Sequence, residues 1–89
     1  MLERTVEITN IRGLHARAAT LLAKTAMRFS SQINLCYEDR SVDCKSVMAI
    51  MLLAAGKGSE VTLQVSGQDQ DNAIETISDL ILDKFGEGE

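Results

Sequence analysis

The stretch "VEITNIRGLHARAA", Val6 to Ala19, carries two periodicities and the break between them. Val6 and Ile8 point one way and Glu7 and Thr9 the other, the period of a half-buried strand. "NIRG", Asn10 to Gly13, interrupts that alternation. From Ala16 the spacing becomes helical: Ala18, Leu22, Ala26 and Phe29 form an inward stripe, and Arg17, Thr20, Lys24 and Arg28 an outward one. The chain's one histidine, His15, stands at the junction.

Working outward, the alternation predicts a first strand over Leu2–Thr9 and a first helix over Ala16–Phe29. Gln32–Tyr37 reads as a second strand, "EDRS" (Glu38–Ser41) as a turn, and Val42–Cys44 as a short third strand. Ser46 precedes the apolar run "VMAIMLLAAGKG" and suits a helix N-cap, with Gly56 and Gly58 as C-terminal stops. Glu60–Ser66 alternates again, with Val61, Leu63 and Val65 inward. "GQDQD" opens a last helix with Ala73, Ile74, Ile77, Leu80, Ile81 and Lys84 or Phe85 along one side, ended by Gly86. Asp69 and Asp71 near its start complement the helix dipole. The order is strand, helix, strand, strand, helix, strand, helix. Each strand has one apolar face, so the predicted class is α+β: a four-stranded sheet covered on one side by a single layer of helices. The 89 residues suit one domain over 1–89.

With 45% hydrophobic and 25% charged residues, the chain has the composition of a soluble globular protein. No apolar run approaches the roughly 20 residues of a membrane span. "MLERTVEITN" turns acidic and alternating at once, unlike a signal peptide, so the expected location is the cytoplasm. For Cys36 and Cys44, a hairpin pairing Tyr37 with Val42 and Leu35 with Cys44 puts the two thiols on opposite faces, where they cannot bridge. A single histidine leaves no zinc ligand set, and no metal or cofactor is expected. The net charge of −4 hides a polarity. Asn10–Gly58 carries seven basic residues (Arg12, Arg17, Lys24, Arg28, Arg40, Lys45, Lys57) against three acidic, whereas Ser59–Glu89 carries eight acidic against Lys84 alone. That favours docking of the basic part onto an acidic protein surface. Nucleic acid is disfavoured, because aromatics are only 3% and no dense Lys/Arg cluster occurs.

With His15 at the N-terminal boundary of the first helix, the free N–H groups of Ala16, Arg17 and Ala18 carry the positive dipole end toward the imidazole. Arg17 and Arg12 reach an anion beside the ring, and Gly13 lets the chain turn tightly before it. A neutral imidazole is a competent nucleophile near pH 7, and a positive helix end favours that form. A phosphoryl group on the ring would then be stabilised by the amides and the guanidinium. The residues alone leave a second reading open, in which His15 is a solitary polar helix cap. An independent hydrolase is disfavoured, since no acid–base pair or metal set accompanies the histidine.

"GLHARAA" and its flanks resemble the active-site segment of the HPr family, the histidine phosphocarriers of the phosphoenolpyruvate-dependent phosphotransferase system. "VEITNIRGLHARAA" is similar to the family's first strand and active-site loop, and "KSVMAIMLLAAGKGSEV" to its second helix and the segment after that helix. "LLAAGKG" looks like both proteobacterial HPr proteins and the nitrogen-branch paralogue NPr. The resemblance implies an open-faced β-sandwich of four antiparallel strands with three helices on one side. It implies that Enzyme I phosphorylates His15 on Nδ1, that Arg17 stabilises the phosphate, and that enzyme II A domains receive it. Many members carry proline where this chain has Ala18; alanine leaves the loop less rigid and removes no chemical group.

Val47, Met48, Ile50, Met51, Leu52 and Leu53 are more apolar residues than a short helix buries, and Met48 and Met51 share a face. In the resembled family this helix docks partners; Ala16, Thr20, Val47, Met48 and Met51 are the candidate contacts. Ser46 is a cap on its own sequence, and by resemblance a candidate site for a regulatory HPr kinase. The expected chain is a monomer with no nucleic-acid or membrane partner. The competing function is a regulatory binding module in which phosphorylation acts only as a switch.

Overall fold

The four alternating segments pair into one antiparallel sheet in the order β1-β4-β2-β3. The computed structural model describes residues 1–87. Its elements are β1 (Leu2–Glu7), α1 (Ala16–Ala26), β2 (Gln32–Tyr37), β3 (Arg40–Asp43), α2 (Val47–Leu53), β4 (Glu60–Ser66) and α3 (Gln70–Leu82), then a 3-10 turn over Lys84–Gly86. The inward residues of the strands, Val6, Ile33, Leu35, Val61, Leu63 and Val65, are buried together with Ala18, Leu22 and Ala26 of α1, Ile50 and Leu53 of α2, and Ile74, Ile77 and Ile81 of α3. The outward residues pair with each other, as in the 2.9 Å bond between the Thr5 and Thr62 hydroxyls. This is the α+β open-faced sandwich that the strand patterning requires.

The β2–β3 hairpin departs from the expected register. Tyr37 pairs with Arg40 and Leu35 with Val42, two residues away from a Tyr37–Val42 pairing. The turn is Glu38–Asp39 alone, with Glu38 at φ 55°, so Arg40 and Ser41 belong to the strand. A slip of two leaves every side chain on its original face, and Cys44 is buried while Cys36 stays half-exposed on the outer face. Burial pushes the Cys44 thiol up to about 12, beyond ordinary thiol chemistry.

Three helix ends also differ; α3 stops at Leu82 rather than at Gly86, because Phe85 lies in the left-handed region at φ 54°, inside a separate 3-10 turn. Helix α1 stops at Ala26 rather than Phe29, because Arg28 and Phe29 donate to Thr25 and Ala26 three residues back and tighten the exit. Helix α2 stops at Ala54, in the left-handed region at φ 55°, ahead of both glycines. A seven-residue helix has little stability of its own. The Arg40 guanidinium donates to the Leu52 and Leu53 carbonyls at 2.9 and 2.8 Å, satisfying its last acceptors. At its other end Ser46 caps as expected, accepting from the Ala49 amide at 3.2 Å.

Asp69 sits at the N-cap of α3, but its carboxylate turns away from the helix. It accepts from the Ser31 hydroxyl and from the amides of Ser30 (2.9 Å) and Ser31 (3.0 Å), tying the end of α1 to the start of α3. The Ser31 hydroxyl first, then the Ser30 amide, hold the Asp69 carboxyl down to about 2. A carboxyl depressed on folding stabilises the native state above its unfolded value of about 4 and ceases to as pH falls through its folded value. Asp69→Asn should therefore be less stable than the parent in urea unfolding at pH 7. The difference in midpoint should close as pH is lowered toward about 2; a difference independent of pH would contradict this role.

Candidate functional site

The break in period after β1 is a structural device that delivers His15 to the start of α1. Asn10 is fully buried, and its side-chain amide donates to the Gly13 carbonyl at 2.9 Å. Gly13 N–H returns to the Asn10 carbonyl at 3.1 Å, and Leu14 N–H reaches the Ala55 carbonyl at 3.0 Å. Gly13 has φ 63°, and a Cβ there would lie 2.6 Å from the Ala55 oxygen and 2.7 Å from Gly56 Cα. Only glycine fits both the conformation and the contact.

His15 then occupies the N-cap position with extended backbone, and its carbonyl accepts from Ala19 N–H at 2.8 Å. Its side chain makes no cap bond, which separates it from an ordinary polar cap. The amides of Ala16, Arg17 and Ala18 are the unsatisfied donors of the first turn, at the positive end of the helix. Ala16 and Arg17 are exposed there, whereas the Ala18 side chain is buried in the core. The His15 side chain is 22% exposed. Its Nε2 meets the Glu87 carboxylate, and among the described residues Nδ1 has no hydrogen-bond partner.

Glu87 reaches the ring because the chain reverses after α3. Phe85, buried with φ 54°, anchors the 3-10 turn, and Gly86 at φ 74° sends the next residue back toward α1. The second Glu87 oxygen accepts from Asn10 at 3.0 Å. Burial works against a charge on Glu87, but the His15 and Asn10 hydrogen bonds, with the charges of His15 and Arg17, outweigh it and hold the carboxyl below its usual value. Arg12 and Arg17 line a cleft of about 350 Å³ with Ile11, Gly86 and Glu87. Among the described residues neither guanidinium is ion-paired.

The structure thus gathers His15, Arg12, Arg17 and the α1 amides at one place. Beside them runs a shallow groove of about 520 Å³ lined by Ala16, Arg17, Thr20, Leu21, Lys24 and Phe85. Helix α2 packs on α1. Of its candidate contacts Met48 is well exposed, Met51 marginally so, and Val47 half-buried. Leu52 is as open as Met48, and sequence reasoning left it out of the docking set. Sequence reasoning also missed Asn10 and Glu87. Asn10 had a faint signal, an Asx residue three positions before a glycine. Glu87 had none, since nothing in a helix pattern announces a fold-back beyond its stop.

Gly13→Ala should test the loop. The added methyl meets backbone on one side and an unfavourable φ on the other, so we expect a loss of about 2 kcal/mol or more in chemical unfolding. The ring resonances of His15 should shift with it, and a variant as stable as the parent would show that the loop is free to move away.

The family profile described as "PTS HPr component phosphorylation site" matches residues 2–83. The phosphocarrier protein HPr of Cupriavidus necator is 47% identical over 89 residues, covering the whole of both chains. Among solved structures, HPr from Thermoanaerobacter tengcongensis superposes with a TM-score of 0.94 at 47% identity, covering 98% of each chain. HPr from Bacillus anthracis gives a TM-score of 0.87 at 34% identity over 90% of this chain and 95% of its own. Profile, full-length relatives and fold agree with one another, and the chain belongs to the HPr family.

Proposed function

We propose that this chain is a phosphoryl carrier of the phosphotransferase system, accepting phosphate from phospho-Enzyme I on Nδ1 of His15 and passing it to enzyme II A domains. One observation carries the choice of atom: Nε2 is engaged by Glu87, which leaves Nδ1 as the ring nitrogen without a protein partner among the described residues. With the proton on Nε2, the Nδ1 lone pair is the nucleophile. The phosphoryl oxygens would be met by the free amides of Ala16, Arg17 and Ala18 and by the Arg17 guanidinium, with Arg12 across the cleft. These groups stabilise the adduct without a metal or cofactor.

Docking falls to Ala16 and Thr20 on α1 and to Val47, Met48 and Met51 on α2, to which the exposure of Leu52 adds a sixth contact. An apolar patch with basic neighbours suits an acidic, apolar-centred partner face. We place the chain in the cytoplasm as one HPr-like domain, 1–89, acting as a monomer. No helix in the described residues is long and apolar enough to cross a membrane. Ser46 caps α2 next to the docking residues, so a phosphate placed there by an HPr kinase would add negative charge facing an acidic partner and weaken docking.

Incubation with phosphoenolpyruvate and Enzyme I should give an acid-labile, base-stable adduct on the parent chain and none on His15→Ala. Arg17→Ala should still accept phosphate, about 100-fold more slowly. A regulatory binding module would associate with its partners without onward transfer, and that outcome would remove the carrier reading.

A further inference from the structure

The Asn10–Glu87–His15 chain of hydrogen bonds reaches the active ring from the nitrogen opposite the reacting one. Two stretches distant in sequence meet there: the loop that leads from β1 into the N-cap of α1, and the reversal after α3. Glu87 is half-buried, with its side chain 13% exposed, and each of its two oxygens has its own donor. Asn10 is the more telling partner. It is fully buried, its Oδ1 has no partner among the described residues, and its amide is shared between Gly13 and Glu87. A buried asparagine with one unsatisfied oxygen is a costly way to brace a turn alone. The arrangement holds a carboxylate in one orientation against Nε2.

We propose that Glu87, fixed by Asn10, is a positioning residue for phosphoryl transfer, keeping the proton on Nε2 before and after Nδ1 takes the phosphoryl group. The proposal rests on the carrier reading given above. In the first transfer the Nδ1 lone pair attacks phosphorus and a P–Nδ1 bond forms. The donor's bond to phosphorus breaks, its electron pair leaving with the donor. The imidazole becomes a cation that keeps its Nε2 proton, and the Glu87 carboxylate balances that charge from the far side. In onward transfer the acceptor's lone pair attacks phosphorus, and the P–Nδ1 electron pair returns to a ring that leaves as neutral imidazole. Without the carboxylate, the Nε2 proton of the phosphorylated ring has no fixed acceptor and the cation no facing charge, and onward transfer slows. Carboxylates that orient and charge-balance a histidine from its second nitrogen act in this way in hydrolytic triads and metal sites. Arg12 and Arg17 stand on the same cleft as Glu87, so the carboxylate also sits within reach of the charges that meet the phosphate. It touches Nε2, however, and leaves the phosphoryl position to the guanidinium and amides.

The test uses the full chain as the substrate of Enzyme I, with phosphoenolpyruvate as phosphate source. Glu87→Gln and Glu87→Ala should lower kcat about ten-fold with KM little changed, and Glu87→Asp should recover part of the loss. In ¹H–¹⁵N spectra of the phosphorylated chain, a protected Nε2–H signal should be present in the parent and in Glu87→Asp and lost from the other two. Unchanged kcat with the Nε2–H signal intact would overturn the proposal while leaving the carrier reading in place. Faster transfer in Glu87→Ala would also overturn it, showing the carboxylate to be an obstruction. A change in KM alone would assign Glu87 to docking instead. A parent chain that takes no phosphate on His15 would bring down both readings.

Discussion

One close backbone approach governs the site: Gly13 against Ala55 and Gly56. The loop that leaves β1 and the turn that leaves α2 touch here with no room for a Cβ, and the Leu14–Ala55 hydrogen bond locks them. That contact fixes where α1 begins, and so places His15 rather than a neighbour at the open amides. It also ties the helix bearing the reactive residue to the helix bearing the exposed methionines. The proposed reactive residue and the proposed docking residues would thus share one joint, which suits a carrier that offers a small labile group to its partners without reorganising.

The electrostatic polarity of the chain has a second use. The basic middle and acidic end read, in sequence, as a charge pattern meant for another protein. In the folded molecule part of it is spent internally, since Glu75 pairs with Arg4 on β1 and Glu87 reaches His15 beside Arg12 and Arg17. The exposed Arg4–Glu75 pair contributes little to stability. The Glu87 contact is half-buried and has a second donor in Asn10, so it is held more firmly and lies against the ring of His15.

Strands β2 and β4 were legible to the residue because alternation over six or seven positions admits one reading. The family resemblance carried by "GLHARAA" and the placing of His15 on a helix start were legible for a similar reason, as the period changes on either side of that residue. The hairpin register was not, because a slip of two residues preserves every face and the pattern cannot distinguish the two pairings. Nor was the end of α2: an alanine in the left-handed region costs about 1–2 kcal/mol and loses to glycine on local grounds. Here the burial of Leu53 and Ala55 and the Arg40 bonds to the last carbonyls decide it. Glu87 lay beyond reach for a deeper reason. Its role depends on a backbone reversal at Phe85 and Gly86 and on a partner 72 residues away, and neither leaves a trace in local periodicity.

The central claim is that the ring nitrogen facing away from Glu87 is the one that takes the phosphoryl group. Phosphorylating the ¹⁵N-histidine-labelled chain and reading the one-bond ³¹P–¹⁵N coupling tests it directly. The coupling should appear at Nδ1 of His15. A coupling at Nε2, or phosphate held on any other residue, would contradict it.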